Sequence, residues 1–229
     1  MPQNDFSPIP SNCRLLGDLS GRELSEALSY FSAVQKSYRR GEFLYSAGMP
    51  VSRFGILLSG NVQVFMENID GERMVMASVS AGESFGESLA FLGVKSSPIW
   101  AEAQTDTTVL WLSPERLRAP SEGTGEALRT RFMTLMAKEA LASNDRIQVL
   151  SKHTLRRKLL AYFSQCVRDA GGAREFTLPF DRAGMADYLG ADRAALSREL
   201  SHMKKEGLLD YRGAHFRLAP RAKVNEDEI

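Results

Sequence analysis

Cysteine and histidine are scarce in this sequence, with 2 Cys and 3 His among 229 residues. Cys13 and Cys166 are too few and too far apart for a CxxC zinc site or for the four thiolates of an iron–sulfur cluster. His153, His202 and His215 stand at no metal-binding spacing, and none pairs with a serine or cysteine in a nucleophile motif. No phosphate-cradling GxxxxGK loop and no paired acid and base are present, so an enzyme is not expected, and neither is a metal or a cofactor. No apolar run reaches the ~18 residues that would cross a bilayer. The opening MPQNDFSPIP does not join a basic start to an apolar core as a secretory signal does. A cytoplasmic protein without a membrane partner is the expectation.

What is present is the balance of a folded chain: 43% hydrophobic and 25% charged residues, enough for one large domain or two small ones without disulfide support. The formal net charge of +1 conceals an uneven distribution. Residues 1–120 carry 10 basic and 13 acidic side chains, 121–150 carry 4 of each, 151–221 carry 14 against 8, and 222–229 carry 1 against 3. A stretch of about 70 residues with a basic surplus of six is a candidate polyanion binder; solvated surface charge is the alternative.

Along the chain, Ser20-Gly21-Arg22-Glu23 fits a capping box, and Leu24, Ala27, Leu28 and Phe31 follow at helical spacing. From Arg40 to Leu112 the period becomes two: Phe54, Ile56 and Leu58, then Val62, Val64 and Met66, then Val75, Ala77 and Val79. Recurrent glycines separate these runs, and Asp70-Gly71 is a tight-turn pair. Short antiparallel strands closing into a roll satisfy this pattern, with Trp100 and Trp111 filling its core. Ser113-Pro114 places a cap residue before a proline tolerated in a first helical turn, and Pro120 to Gly125 reads as a break. A long helix is predicted over about Glu126 to Ser151. Leu128, Leu135, Ala142 and Val149 recur in it every seven residues, with Phe132 between the first two, which predicts a dimer seam; a helix packed on its own domain is the alternative.

A helix over about Thr154 to Val167 ends before Gly171-Gly172, and Glu175 to Phe180 is strand-like. In the segment that follows, Asp181 caps a short helix with Met185, Ala186 and Leu189 inward, and Gly190 supplies a sharp turn. Asp192 caps a second helix with Leu196, Leu200 and Met203 inward and Arg193, Ala194, Ser197, Arg198 and His202 outward. This pair is a helix-turn-helix, and Leu208 to Leu218, with Arg212-Gly213 in the middle, reads as a hairpin wing. Double-stranded DNA is the partner this implies. Arg193 and Arg198 are placed for base edges or phosphates, and Ser197 is short enough to allow close approach. Arg182, Lys204, Lys205, Arg212 and Arg217 are placed to neutralise phosphates. A protein-docking or ligand-binding module without DNA binding is the competing reading.

The order of parts, a glycine-punctuated roll with FGES near its end, a long helix, then LGADRAALSREL in a winged unit, resembles the family of the cyclic-AMP receptor protein and the fumarate-nitrate reductase regulator. The resemblance covers about residues 15–218. It implies an α+β fold: an effector-binding-like β-roll over 1–120, a dimerisation helix over 121–151, a winged helix-turn-helix over 152–220, and an acidic tail over 221–229. It further implies a bacterial homodimer on a palindromic operator, in contact with RNA polymerase and answering to an effector. In cyclic-nucleotide binders of that family, Phe85-Gly86-Glu87 would hold the ribose, and an arginine followed by serine about ten residues later would hold the phosphate. Here the later position is Ser97-Pro98, with Lys95 nearby and no arginine between Arg73 and Arg116. The long helix offers Leu141-Ala142-Ser143 where a base would sit. Cyclic AMP is therefore not the expected effector. A different small molecule with an apolar part is expected between Phe85, Gly86, Glu87, Phe91 and Trp100 of the roll and Phe132 and Met136 of the helix; a ligand-free regulator is the alternative. Oxygen-sensing members carry a cysteine cluster where this chain has Cys13 alone. Many members have a glutamate after the first recognition arginine, where this chain has Ala194, so a different half-site preference is expected.

Overall fold

The alternating stretches fold into strands because each carries apolar residues on one or both faces and ends at a turn. A computed structural model describes residues 6–119, 122–178 and 181–220. The chain divides into two compact units, residues up to 138 and residues from 139. In the first, α1 (Gly21–Tyr30) precedes β1 (Val34–Tyr38), β2 (Phe43–Tyr45), β3 (Phe54–Ser59), β4 (Asn61–Glu67), β5 (Arg73–Ser80) and β6 (Ser84–Phe85). Then come α2 (Glu87–Leu92), β7 (Trp100–Ala103), β8 (Thr107–Leu112) and one 3₁₀ turn, Glu115–Arg118, which Ser113 Oγ opens by accepting from Glu115 N–H at 3.4 Å. The strands form two antiparallel four-stranded sheets, β1-β8-β3-β6 and β2-β7-β4-β5.

Two cores result. Phe54, Ile56 and Leu58 face the helices, together with Leu15, Phe31, Leu110 and Leu112. Between the sheets lie Tyr38, Leu57, Val62, Val64, Val79, Phe85, Val109 and Trp111. β3 is thus buried on both faces. Its Gly55 is a close approach: a Cβ there would lie 2.5 Å from Phe85 Cε1.

The structure corrects several expectations here. The Ser20 hydroxyl makes no cap hydrogen bond, so α1 starts where the capping box predicts but without it. Of Val75, Ala77 and Val79 only Val79 is buried. β5 is an edge strand, and its register with β4 shifts so that Phe65 pairs with Val75, carrying Val75 to the other face of the sheet. Trp111 fills the inter-sheet core, but Trp100 does not. It pairs with Phe65, stacks on that ring at 6.4 Å, rests against Phe43 at 5.1 Å, and belongs to neither buried cluster. The inward positions of β7 are Ala101 and Ala103.

Helix α3 (Thr124–Leu150) carries the unit boundary within its length. Leu128, Phe132 and Leu135 are buried in the helix-side core of the first unit, Val149 in the core of the second, and Ala142 is exposed. The residues read as a dimer seam are therefore mostly taken up by the chain's own cores. The large apolar residues that α3 leaves most exposed are Met133 (64%), Leu141 (65%) and Ile147 (64%).

The second unit contains α4 (Leu155–Asp169), β9 (Glu175–Thr177), α5 (Arg182–Leu189), α6 (Arg193–Lys205), β10 (Leu209–Arg212) and β11 (His215–Leu218), with sheet order β10-β11-β9. Thr154 caps α4 by accepting from Arg157 N–H. Leu159, Phe163, Leu189, Leu196, Leu200, Met203 and Phe216 form the core. Pro120, Phe180 and the acidic tail lie outside the described residues. No helix among the described residues is long and apolar enough to cross a membrane.

Candidate nucleic-acid interface

The helix pair is set by local chemistry. Asp181 Oδ1 accepts from Gly184 N–H at 2.9 Å, Gly190 ends α5 with φ +57°, and Asp192 Oδ1 accepts from Ala195 N–H at 2.9 Å. With Leu196, Leu200 and Met203 buried, Arg193, Ala194, Ser197, Arg198 and His202 form the exposed face of α6. Ser197 Oγ donates to Arg193 C=O at 2.9 Å, which turns the hydroxyl back on the helix and keeps that face low. Arg193, Arg198, Lys205 and Arg212 are exposed and hold no ion pair among the described residues.

The other cations named from the sequence are engaged within the unit. Lys204 Nζ lies 2.5 Å from Asp210 Oδ1; this pairing raises the lysine pKa and lowers that of the aspartate. Arg217 pairs with Glu175 at 3.4 Å, and His215 Nε2 lies 2.8 Å from the same carboxylate, which the two hold below the usual carboxylate range. The Arg182 guanidinium lies 4.4 Å from the Tyr211 ring centre and 5.1 Å from that of Phe216, and burial pulls its pKa down. Sequence reasoning missed Arg156, which ties α4 to α6 through Glu206 and through Glu199 at 3.4 Å. His202 Nδ1 adds a 2.9 Å contact to Glu206. The signal available in the sequence was only a cation near the start of one helix and acids near the end of another.

The residues proposed for an effector fall in three places. Phe85 lies between the sheets at 5.5 Å from the Tyr45 ring and 5.6 Å from the Trp111 ring; Trp111 Nε1 donates to Tyr38 Oη at 3.0 Å. Gly86 turns there with φ +81°, and Glu87, the first residue of α2, is buried. Tyr45 donates its hydroxyl to Arg53 C=O, and burial followed by the Glu87 charge pushes its pKa up. Phe91 meets Phe132 at 5.4 Å in the helix-side core, and Ser88 Oγ lies 3.7 Å from Met136 Sδ. Trp100 lies apart from both groups. Ser97 is buried and closes on Ile99, donating to its C=O at 2.9 Å, and Lys95 is exposed. Cys13 is buried in the helix-side core, and no cluster of metal-ligating side chains occurs among the described residues.

Two family models match the chain in tandem: a cyclic nucleotide-binding domain over residues 35–119 and a Crp-like helix-turn-helix domain over residues 155–224. Electron transport regulator A of Shewanella oneidensis is 25% identical over 196 residues, 83% of this chain and 77% of that protein. The fumarate and nitrate reduction regulatory protein of Escherichia coli is 26% identical over 185 residues, 79% of this chain and 73% of that one. The solved structure of the c-di-GMP responsive global regulator CLP of Xanthomonas campestris is similar in fold, with a TM-score of 0.54 at 18% identity over 86% of this chain and 99% of that one.

Proposed function

Since the chain belongs to the family of the cyclic-AMP receptor protein and the fumarate-nitrate reductase regulator, bacterial transcription regulators and not enzymes, we propose that it acts as a homodimer on a palindromic DNA operator, with Arg193 and Arg198 as the principal readers. The observation that carries this reading is the division of α6 into a fully buried apolar stripe and a free face bearing both arginines. A helix so exposed enters the major groove with its N-terminal half, and two copies would address half-sites about 34 Å apart. Ser197 permits the approach, while Lys205 and Arg212 neutralise phosphates. For the dimer contact we assign the exposed positions Met133, Ala140 and Ile147 of α3, seven residues apart, with Leu141 beside them.

The roll is the effector-binding domain of the family, and its effector is proposed to be a small molecule other than cyclic AMP. Ser97, bonded to its own loop, stands where a phosphate would need a guanidinium. The rings of Tyr45, Phe85 and Trp111 between the sheets favour a second reading, a regulator that works without a ligand.

Selection of duplexes by the purified chain from a random-sequence pool tests the first claim. A palindromic consensus is expected, with log affinity falling linearly in log salt by about 0.9 per phosphate neutralised. Salt-insensitive binding would favour protein docking instead. In sedimentation the wild type is expected as a dimer and Ile147→Glu as a monomer that has lost operator affinity; a monomeric wild type overturns the arrangement. Titration with cyclic AMP is expected to leave the melting temperature unchanged, whereas a ligand at ~100 times its Kd would add about 2.7 kcal/mol. A clear rise would overturn the effector assignment and leave the DNA assignment standing.

A further inference from the structure

The wing has a weak margin. β10 is an edge strand, bonded only to β11, and an isolated two-stranded hairpin is marginal in water. β11 is held from its other side by β9, and its Phe216 stacks on Phe176 at 6.2 Å within the core. β10 is anchored at its start by Leu209, buried in the same core, and its outer end at Tyr211 is held by the helix pair. Its Tyr211, opposite Phe216 in the ladder, is approached by a cation from each helix of the pair: Arg182 at the start of α5, 4.4 Å from the ring centre, and Lys204 near the end of α6, 5.3 Å away. Lys204 is itself pinned to Asp210, the neighbour of Tyr211, and Ser201 Oγ lies 3.5 Å from Tyr211 Oη. Arg182 also faces Phe216 and sets Nη1 3.8 Å from Met185 Sδ. Arg212 and the turn at Gly213, with φ +61°, follow Tyr211 directly.

Resting on the DNA-binding reading above, we propose that Arg182 is a positioning residue that clamps the wing to the helix pair through Tyr211, so that Arg212 is presented to the duplex at a fixed angle. A guanidinium suits this role because its plane lies flat against rings, whereas an ammonium is a compact, strongly hydrated point charge. A guanidinium spent in this way is not free to act as one more phosphate contact.

The test uses the full chain and a duplex selected from a random pool by the wild type. In the DNA-free protein, Arg182→Met and Arg182→Lys are both expected to speed amide exchange in β10 and β11 by about tenfold while leaving α6 unchanged. Tyr211→Leu should behave alike, and Tyr211→Phe, which keeps the ring, should match the wild type. On DNA, Arg182→Met is expected to weaken binding by about tenfold. It should lose protection only where the wing lies and add nothing further in an Arg212→Ala background. If instead Arg182→Lys keeps wild-type affinity and wild-type exchange, and Arg182→Met adds to Arg212→Ala with a salt slope smaller by about 0.9, Arg182 is a phosphate contact and the proposal falls. Should Arg182→Met not fold, Arg182→Lys and Tyr211→Leu decide. A wild type that selects no duplex refutes the DNA reading, while the exchange arm still decides whether Arg182 holds the wing.

Discussion

Replacing Arg193 and Arg198 together by alanine is expected to abolish sequence selection while leaving the thermal transition of the winged unit in place. Each arginine, if bidentate to a guanine, contributes about 1–3 kcal/mol of discrimination, so the pair accounts for roughly 2–6 kcal/mol, or about 30-fold to 10⁴-fold in specific affinity. Neither side chain belongs to the core, and exposed substitutions of this kind change stability by only about ±0.5 kcal/mol. The variant should keep the salt-dependent, sequence-blind attraction proposed for Lys205 and Arg212, so electrophoretic shift at low salt is expected to persist while pool selection yields no consensus. Recovery of the wild-type consensus by the double variant would remove α6 from the role of reader. Ala194 bears on the same experiment: the base that a glutamate would specify next to Arg193 should be degenerate in the wild-type consensus.

The second large effect is expected in the roll. Trp111 is buried between the sheets, donates to Tyr38 Oη, and touches the rings of Tyr45 and Phe85. Trp111→Ala removes those contacts, leaves the Tyr38 hydroxyl without its donor, and opens a void that rigid neighbours only partly close. Substitutions of this class cost about 3–5 kcal/mol. For a unit of this size that lowers the melting temperature by about 10 °C. Because the lost volume has the shape of an indole, free indole should restore part of the loss, and a phenylalanine replacement should cost less than alanine. A melting temperature within 2 °C of the wild type, a change worth less than about 1 kcal/mol, would show that the ring is not part of a closed core.

What the sequence made legible was chiefly local. Asp181 and Asp192 cap helices three residues ahead of the amides they serve, and Leu196, Leu200 and Met203 recur on one helical face, so the helix pair and its exposed side followed from spacing alone. The roll was legible as a class because alternation and turns are also short-range signals. What could not be read from spacing depended on partners distant in the chain. Heptad spacing in α3 marks Leu128, Leu135 and Val149 as buried but does not say against what, and they are buried in the chain's own cores. Trp100 was assigned inward by size, yet its neighbours Ala101 and Ala103 take the inner positions, and Phe65, its partner in the ladder, lies 35 residues away. Arg182 was read as a phosphate contact, and its ring neighbour Tyr211, 29 residues on, could not be read from spacing because it comes near only once the wing has folded back. The effector residues divided for the same reason: Phe85 and Phe91 are six residues apart but belong to opposite sides of one sheet.

The two sulfhydryls fall one to each compact unit, Cys13 deep in the helix-side core and Cys166 half-covered on α4 beside Tyr162, where burial pushes its thiol up. Neither forms a disulfide, and Cys166, its thiol pushed up by burial, is not a ready thiolate at neutral pH. A thiol reagent added to the native protein therefore reaches the buried Cys13 only when its own unit opens, whereas the half-covered Cys166 stands partly in its path. The unmodified chain carries its own stopwatch, a single sulfur timing the breathing of the first compact unit.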